Sequence, residues 1–146
     1  MTTIAYRDGV MAADTGAKFG DAKHPWAQKL ARGPDGTLYG ASGTASEWET
    51  FLEWVRGGCK GDHPQPRDCN GDNSFVVLCV APNGPVETIT AFGRERFEPP
   101  YYALGYDACV AFGAMHAGAC AEDAVEAAIV HGTGTFGAVT VIRHGL

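Results

Sequence analysis

Apolar positions along this chain come in short bursts separated by glycine- and proline-rich punctuation, a pattern that builds short strands and brief helices. The first two bursts, Thr2-Thr-Ile-Ala-Tyr6 and Val10-Met-Ala-Ala-Asp14, flank Arg7-Asp8-Gly9. Asp-Gly suits a two-residue turn whose positive-φ positions match the twist of paired strands, so a hairpin is predicted here. With Asp8-Gly9 as its loop, Arg7 pairs with Val10, Ala5 with Ala12 and Thr3 with Asp14. Thr2 and Asp14 then meet at the open end of the ribbon.

Thr15 to Pro25 reads as a loop. A second hairpin follows, Trp26 to Arg32 and Thr37 to Ala41 around Gly33-Pro34-Asp35-Gly36. A four-residue loop sets Arg32 against Thr37 and Lys29 against Gly40, beside the turn Gly40-Ala41-Ser42-Gly43. Trp48, Phe51, Leu52 and Val55 fall at i, i+3, i+4 and i+7 and predict an amphipathic helix, with Ser46 and Glu49 as a capping box. Gly57 to Asn73 reads as a polar loop, Ser74 to Ala81 as an apolar strand, and Pro82-Asn83-Gly84-Pro85 as a turn into Val86 to Phe92. After a loop ending in Pro99-Pro100, Tyr106 to His116 reads as a small-residue helix that Gly118 breaks. Ala121 to Val130 reads as a second helix with Glu122, Asp123 and Glu126 on its wet side, and Phe136 to Arg143 as a last strand. Hairpins separated by amphipathic helices predict two packed sheets covered by helices on both sides, an α+β fold in one domain over residues 1–146.

Composition narrows the function classes. With 45% apolar and 19% charged residues in 146, the chain can fold around one core. A net charge of −6 argues against nucleic acid as the main partner. No apolar run approaches the ~20 residues of a membrane span, and the N-terminus lacks signal-peptide character. The five cysteines form an odd set without framework spacing, which predicts a reduced, cytoplasmic protein. Cys59, Asp62, His63, Asp68 and Cys69 match no zinc-ligand spacing, so neither metal nor cofactor is expected.

The chemistry starts at Thr2. A small residue behind Met1 lets methionine aminopeptidase trim the chain, leaving a hydroxyl and a free α-amine on one residue, nucleophile and base together. Any protein can begin Met-Thr. What singles out this start is the company the hairpins bring: Asp14, Lys29 and a glycine turn at the positive end of a helix, suited to a developing negative charge. Taken alone, Asp14 reads equally as a strand-end turn former and Lys29 as a solvated charge.

Taken in order, Thr2-Thr-Ile with Asp8-Gly9-Val10-Met-Ala-Ala-Asp14-Thr15 resembles the β-subunits of the proteasome and, more closely, their bacterial homologue HslV. Gln28-Lys29-Leu30 resembles the family's Lys-Lys-hydrophobic motif, and Ala41-Ser42-Gly43-Thr44-Ala45 its Ala-Gly-Gly-Thr-Ala turn. Ala103-Leu104-Gly105 resembles its Ile-Gly-Ser-Gly element. The resemblance implies a four-layer αββα sandwich of the N-terminal-nucleophile hydrolase type and a threonine-type endopeptidase. It implies Thr2 as nucleophile with its own amine moving the proton, Lys29 lowering the pKa of that centre, and Asp14 orienting Lys29. It further implies an oxyanion site at the Ser42 and Gly43 N–H groups and a specificity pocket flanked by Ala27 and Gly40, roomy because both are small. By the same resemblance the subunit forms a homo-oligomeric ring acting on unfolded polypeptides, with an ATP-dependent unfoldase as candidate partner.

Two departures stand out. Tyr106, followed by Asp107, occupies the place of the family's serine. His131-Gly132-Thr133-Gly134-Thr135 lacks an aspartate that the family often carries, unless His131 substitutes, with Thr135 offering a hydroxyl. They keep two alternatives open: a catalytically silent assembly protein, and a hydrolase of small amides.

Overall fold

The computed structural model describes residues 1–145. Asp8 and Gly9 both take positive φ, 51° and 78°, as a two-residue hairpin turn demands. Strand β1 (Thr3–Arg7) therefore runs back as β2 (Val10–Asp14) in the predicted register, Arg7 opposite Val10 and Ala5 opposite Ala12. β3 (Ala17–Phe19) and β4 (Ala22–His24) form a small hairpin where the sequence predicts only a loop. Its strands are three residues each and largely exposed, too short for a pattern that could signal them.

In the next hairpin, β5 (Leu30–Arg32) and β6 (Leu38–Gly43), the register differs from the predicted one by one residue. Arg32 faces Leu38 and Leu30 faces Gly40. The cause is Asp35, whose Oδ1 accepts the Thr37 N–H at 3.0 Å, while the Thr37 carbonyl accepts the Gly33 N–H at 2.8 Å. Thr37 thus joins the turn. Lys29 consequently lies across from Ala41, whose N–H donates to the Lys29 carbonyl at 3.0 Å.

Helix α1 (Ala45–Arg56) buries the predicted stripe of Trp48, Phe51, Leu52 and Val55. The predicted capping box is absent: Thr44 occupies the N-cap without a side-chain bond. Ser46 already sits in the first turn, its carbonyl accepting the Thr50 hydroxyl at 2.9 Å. A two-residue ribbon, β7 (Asp68–Cys69) with β8 (Asp72–Asn73), interrupts the middle loop. β9 (Phe75–Val80) and β10 (Val86–Thr90) follow as expected.

β11 (Gly93–Phe97) was not predicted, because Gly-Arg-Glu-Arg-Phe shows no apolar alternation. It is a charged edge strand, a composition that discourages further pairing, with Arg94 and Arg96 reaching Glu87 on β10. β12 (Tyr101–Gly105), a stretch to which the sequence pattern assigns no element, pairs along β1. α2 (Ala108–His116) ends before Gly118, whose φ is 109°, and α3 (Ala121–His131) and β13 (Val139–Arg143) complete the chain.

The strands form two main sheets, ordered β12-β1-β2-β13 and β11-β10-β9-β6-β5. Between them lie Ile4, Met11, Leu30, Leu38, Leu78 and Val80. α1 packs its stripe on the outer face of the second sheet against Phe75, Val77 and Ile89. α2 and α3 cover the first sheet through a layer built mostly of alanine, including Ala5, Ala12, Ala111 and Ala124, together with Met115 and Val125. Each large apolar side chain so buried contributes about 1.5–3 kcal/mol. The result is the expected αββα sandwich. β1 is an interior strand of its sheet, so the residue preceding it, Thr2, emerges from one of the most constrained places in the fold.

Candidate active site

Pairing on both sides of β1 holds Thr2 in place. Its carbonyl accepts the Tyr106 N–H at 2.7 Å, and the next N–H along, that of Thr3, donates to Asp14 Oδ1 at 3.0 Å. The approach of Tyr106 requires Gly105: its φ is +114°, and a Cβ there would collide with the Thr2 carbonyl. Thr2 is 4% exposed and lines a cavity of about 400 Å³ together with Met1, Lys18, Lys29 and Gly43.

Lys29 Nζ donates to Asp14 Oδ2 at 3.1 Å, and the two side chains are 1% and 0% exposed. Asp14 Oδ2 also accepts the Gly16 and Phe136 N–H groups at 3.3 and 3.4 Å. The second oxygen near Lys29 Nζ is the Met1 carbonyl, at 3.5 Å, on the peptide bond preceding Thr2. Burial pushes the Lys29 ammonium below the usual lysine range, and Asp14 counters part of that shift.

Of the two N–H groups expected at an oxyanion site, only one is available. The Thr44 N–H donates to the Ser74 carbonyl at 2.8 Å, and ladder alternation commits the Ser42 N–H to β9 in the same way. The Gly43 N–H points to the opposite edge. β5 does not extend there, because the Ala27 N–H has turned away to the Thr15 carbonyl at 2.9 Å. Gly43 lines the Thr2 cavity, one residue before the Thr44 cap of α1.

A second cavity, about 640 Å³, adjoins the first and shares Ala17, Ala45, Ser46 and Trp48 with it. Ala27 lines it beside Trp26 and Gln28. Gly40, expected to flank the same pocket, instead faces the inter-sheet core, where a Cβ would lie 3.0 Å from Ile4 Cγ2. The one-residue change of register is the reason, since it exchanges the faces of a strand.

Three residues of this region were not singled out, or not connected, by sequence reasoning. Asp107, directly before α2, accepts the N–H groups of Thr133, Gly134 and Thr135 at 2.9, 3.1 and 2.9 Å, as well as the Thr135 hydroxyl. The Thr135 and Thr3 hydroxyls lie 2.6 Å apart. Burial alone would raise the Asp107 carboxyl; the bonds from Thr135, Thr133 and Gly134 outweigh it and hold the pKa at about 2. His131 does not substitute for the missing aspartate, because it is exposed at the end of α3. The available signal was an aspartate ahead of a small-residue helix, but nothing local links it to residues 133–135. In the middle loop, His63 packs edge-on against Phe51 and Trp54.

No protein-family model and no curated protein matches the chain. Solved structures do. Thiobacillus denitrificans BPH in complex with epoxomicin aligns with a TM-score of 0.69 at 22% identity, covering 99% of each chain. A second BPH structure gives the same score and identity over 99% of this chain and 98% of that one. Eukaryotic HslV from Trypanosoma brucei aligns at 0.66 and 15% identity, over 96% of this chain and 97% of its own. The chain thus has the αββα fold of HslV and the proteasome-type N-terminal-nucleophile hydrolases.

Proposed function

We propose that this protein is a threonine-type endopeptidase whose nucleophile is Thr2, exposed as the N-terminal residue once Met1 is removed. The observation that carries the reading is the Lys29–Asp14 pair directly against the Met1–Thr2 peptide. On trimming, the Thr2 nitrogen becomes a primary amine beside the Lys29 ammonium. A neighbouring cation disfavours protonation of that amine and leaves it a base near neutral pH. Lys29 itself stays charged against Asp14 and takes no part in proton transfer.

The amine removes the proton from Thr2 Oγ1 as that oxygen attacks the substrate carbonyl. The carbonyl's developing negative charge is met by the Gly43 N–H and the N-terminal end of α1, a contribution that typically accelerates such steps by about 10²–10³-fold. The protonated amine then donates to the leaving nitrogen, the peptide bond breaks, and an ester to Thr2 remains. Water, deprotonated by the same amine, hydrolyses the ester and restores Thr2. The cavity of about 640 Å³ that adjoins the Thr2 cavity through Ala17, Ala45, Ser46 and Trp48 has room for a peptide side chain, which favours peptides over small amides.

We further assign unfolded polypeptides as substrates and a homo-oligomeric ring as the working assembly, with an ATP-dependent unfoldase as partner. The fold shared with HslV supports this, as do Phe19 and Trp26, 88% and 75% exposed at the site's rim.

Intact mass before and after epoxomicin, the ligand of the BPH complex, tests the nucleophile. Loss of Met1 and a single adduct that disappears in Thr2→Ala are expected. Retained Met1 without adduct would end the peptidase reading in favour of a silent assembly protein. Light scattering tests the ring, where a monomeric mass would count against it.

A further inference from the structure

We propose that Asp107 is a positioning residue for Thr2: through Thr135 and Thr3 it locks the strand end carrying the nucleophile, supplying from the start of α2 the acid that the 131–135 segment lacks. Its catalytic consequence rests on the peptidase reading, whereas the lock itself rests on hydrogen bonds alone.

The donors and acceptors leave one arrangement. The ionised Asp107 carboxylate only accepts, so the Thr135 hydroxyl, 2.5 Å away, spends its proton on Asp107 Oδ2. The 2.6 Å contact between Thr135 and Thr3 must then run from the Thr3 hydroxyl to the Thr135 oxygen. The circuit closes at 3.2 Å, where the Asp107 N–H donates to Thr3 Oγ1. Thr3, Asp107 and Thr135 are 0%, 8% and 5% exposed, so water competes little for these bonds. Charge-assisted bonds of this kind are stronger than neutral ones.

The consequence falls on Thr2. Thr3 is fixed twice, by its N–H on Asp14 and by its hydroxyl in the Asp107 circuit, while the Thr2 carbonyl is fixed by Tyr106. The nucleophile keeps freedom in little more than its own side chain and amine. Reacting groups held to within about 0.5 Å of productive geometry are what such support provides. A carboxylate is required at 107, since an amide would turn its NH₂ toward N–H donors on one side or the other.

The test compares wild type, Thr135→Val, Thr135→Ser and Asp107→Asn. Thr135→Val removes the hydroxyl but retains the main-chain bonds to Asp107, so it folds even where Asp107→Asn does not. Thr135→Val is expected to slow epoxomicin adduct formation and peptide kcat about 10- to 100-fold with KM nearly unchanged. Asp107→Asn does the same where it folds, and Thr135→Ser restores most of the rate. Wild-type rates in Thr135→Val, or a Thr135→Ser variant no better than Thr135→Val, would overturn the lock. If wild type itself forms no adduct, the peptidase reading fails separately, and amide exchange at Thr3 decides the lock. Exchange about tenfold faster in Thr135→Val supports it, and unchanged exchange rejects it.

Discussion

Lys29 Nζ lies 3.1 Å from Asp14 Oδ2 with neither side chain reaching solvent. The two partners are unequally supported. Asp14 also accepts the Thr3, Gly16 and Phe136 N–H groups, while among the described residues Lys29 has only the Met1 carbonyl besides. Breaking a buried pair from one side costs about 3–5 kcal/mol. Lys29→Met, which strands a carboxylate still holding three N–H groups, belongs at the lower end of that range. Asp14→Leu strands an ammonium and three donors, and belongs at or above the upper end. Urea unfolding gives the order, and Lys29→Met proving the more damaging change would contradict this account.

Gly105 is the second position with a sharp expectation. Its φ of +114° already disfavours a side chain, and a Cβ would meet the Thr2 carbonyl. Gly105→Ala must push β12 away from Thr2 and break the Tyr106 bond. Loss of epoxomicin reactivity is expected even in the fraction that folds, with a melting temperature well below wild type. A reactive Gly105→Ala protein would show that this approach is dispensable.

Asp107 makes stability depend on acid. Its carboxyl is held at about 2, below the unfolded value, because bonds to the ionised form outweigh the opposing effect of burial. The stabilisation is therefore complete above the ordinary carboxylate range, near pH 4, and is lost as pH falls through about 2. Asp107→Ala removes this contribution, so the stability gap between wild type and variant should narrow between about pH 4 and pH 2. Urea midpoints across that range measure it, and a constant gap would refute the assignment.

Arg7 ties the first sheet to the end of α2. Its Nη1 donates to the Met115 carbonyl at 2.6 Å and the Ala119 carbonyl at 3.1 Å, and its guanidinium sits 5.1 Å from the Tyr101 ring centroid. Both carbonyls lie at or just past the C-terminal end of α2, where the helix dipole favours a cation, and that of Met115 also accepts the Gly118 N–H at 3.0 Å. Arg7→Ala should cost about 1–3 kcal/mol without altering the adduct rate. A change in that rate at unchanged stability would mean Arg7 acts on the site by another route.

How far the sequence could be read depended on where each decision was made physically. Asp8-Gly9 sets its own hairpin register within a few residues, so Ala5 opposite Ala12 was readable. The α1 stripe was equally local. The Gly33–Gly36 turn misled by one residue because the Asp35 side chain captures the Thr37 N–H, a choice that composition does not reveal. That slip relocated Gly40 from the pocket to the inter-sheet core. β11 and β12 escaped notice because one is a charged edge and the other is held by β1 rather than by its own pattern.

The sequence by itself determined the hairpin that sets Thr2 near Asp14, the helix whose N-terminal end faces the same place, and the presence of Lys29. Each follows from turn chemistry or periodicity over a few residues. Tertiary structure alone decided which N–H groups remain free at residues 42 and 43, and that Asp107 holds Thr135 and Thr3. Asp107 lies 28 residues from Thr135 and 104 from Thr3. Such partners meet only after α2 and α3 have packed their alanine faces onto the first sheet, a long-range event with no local pattern to announce it.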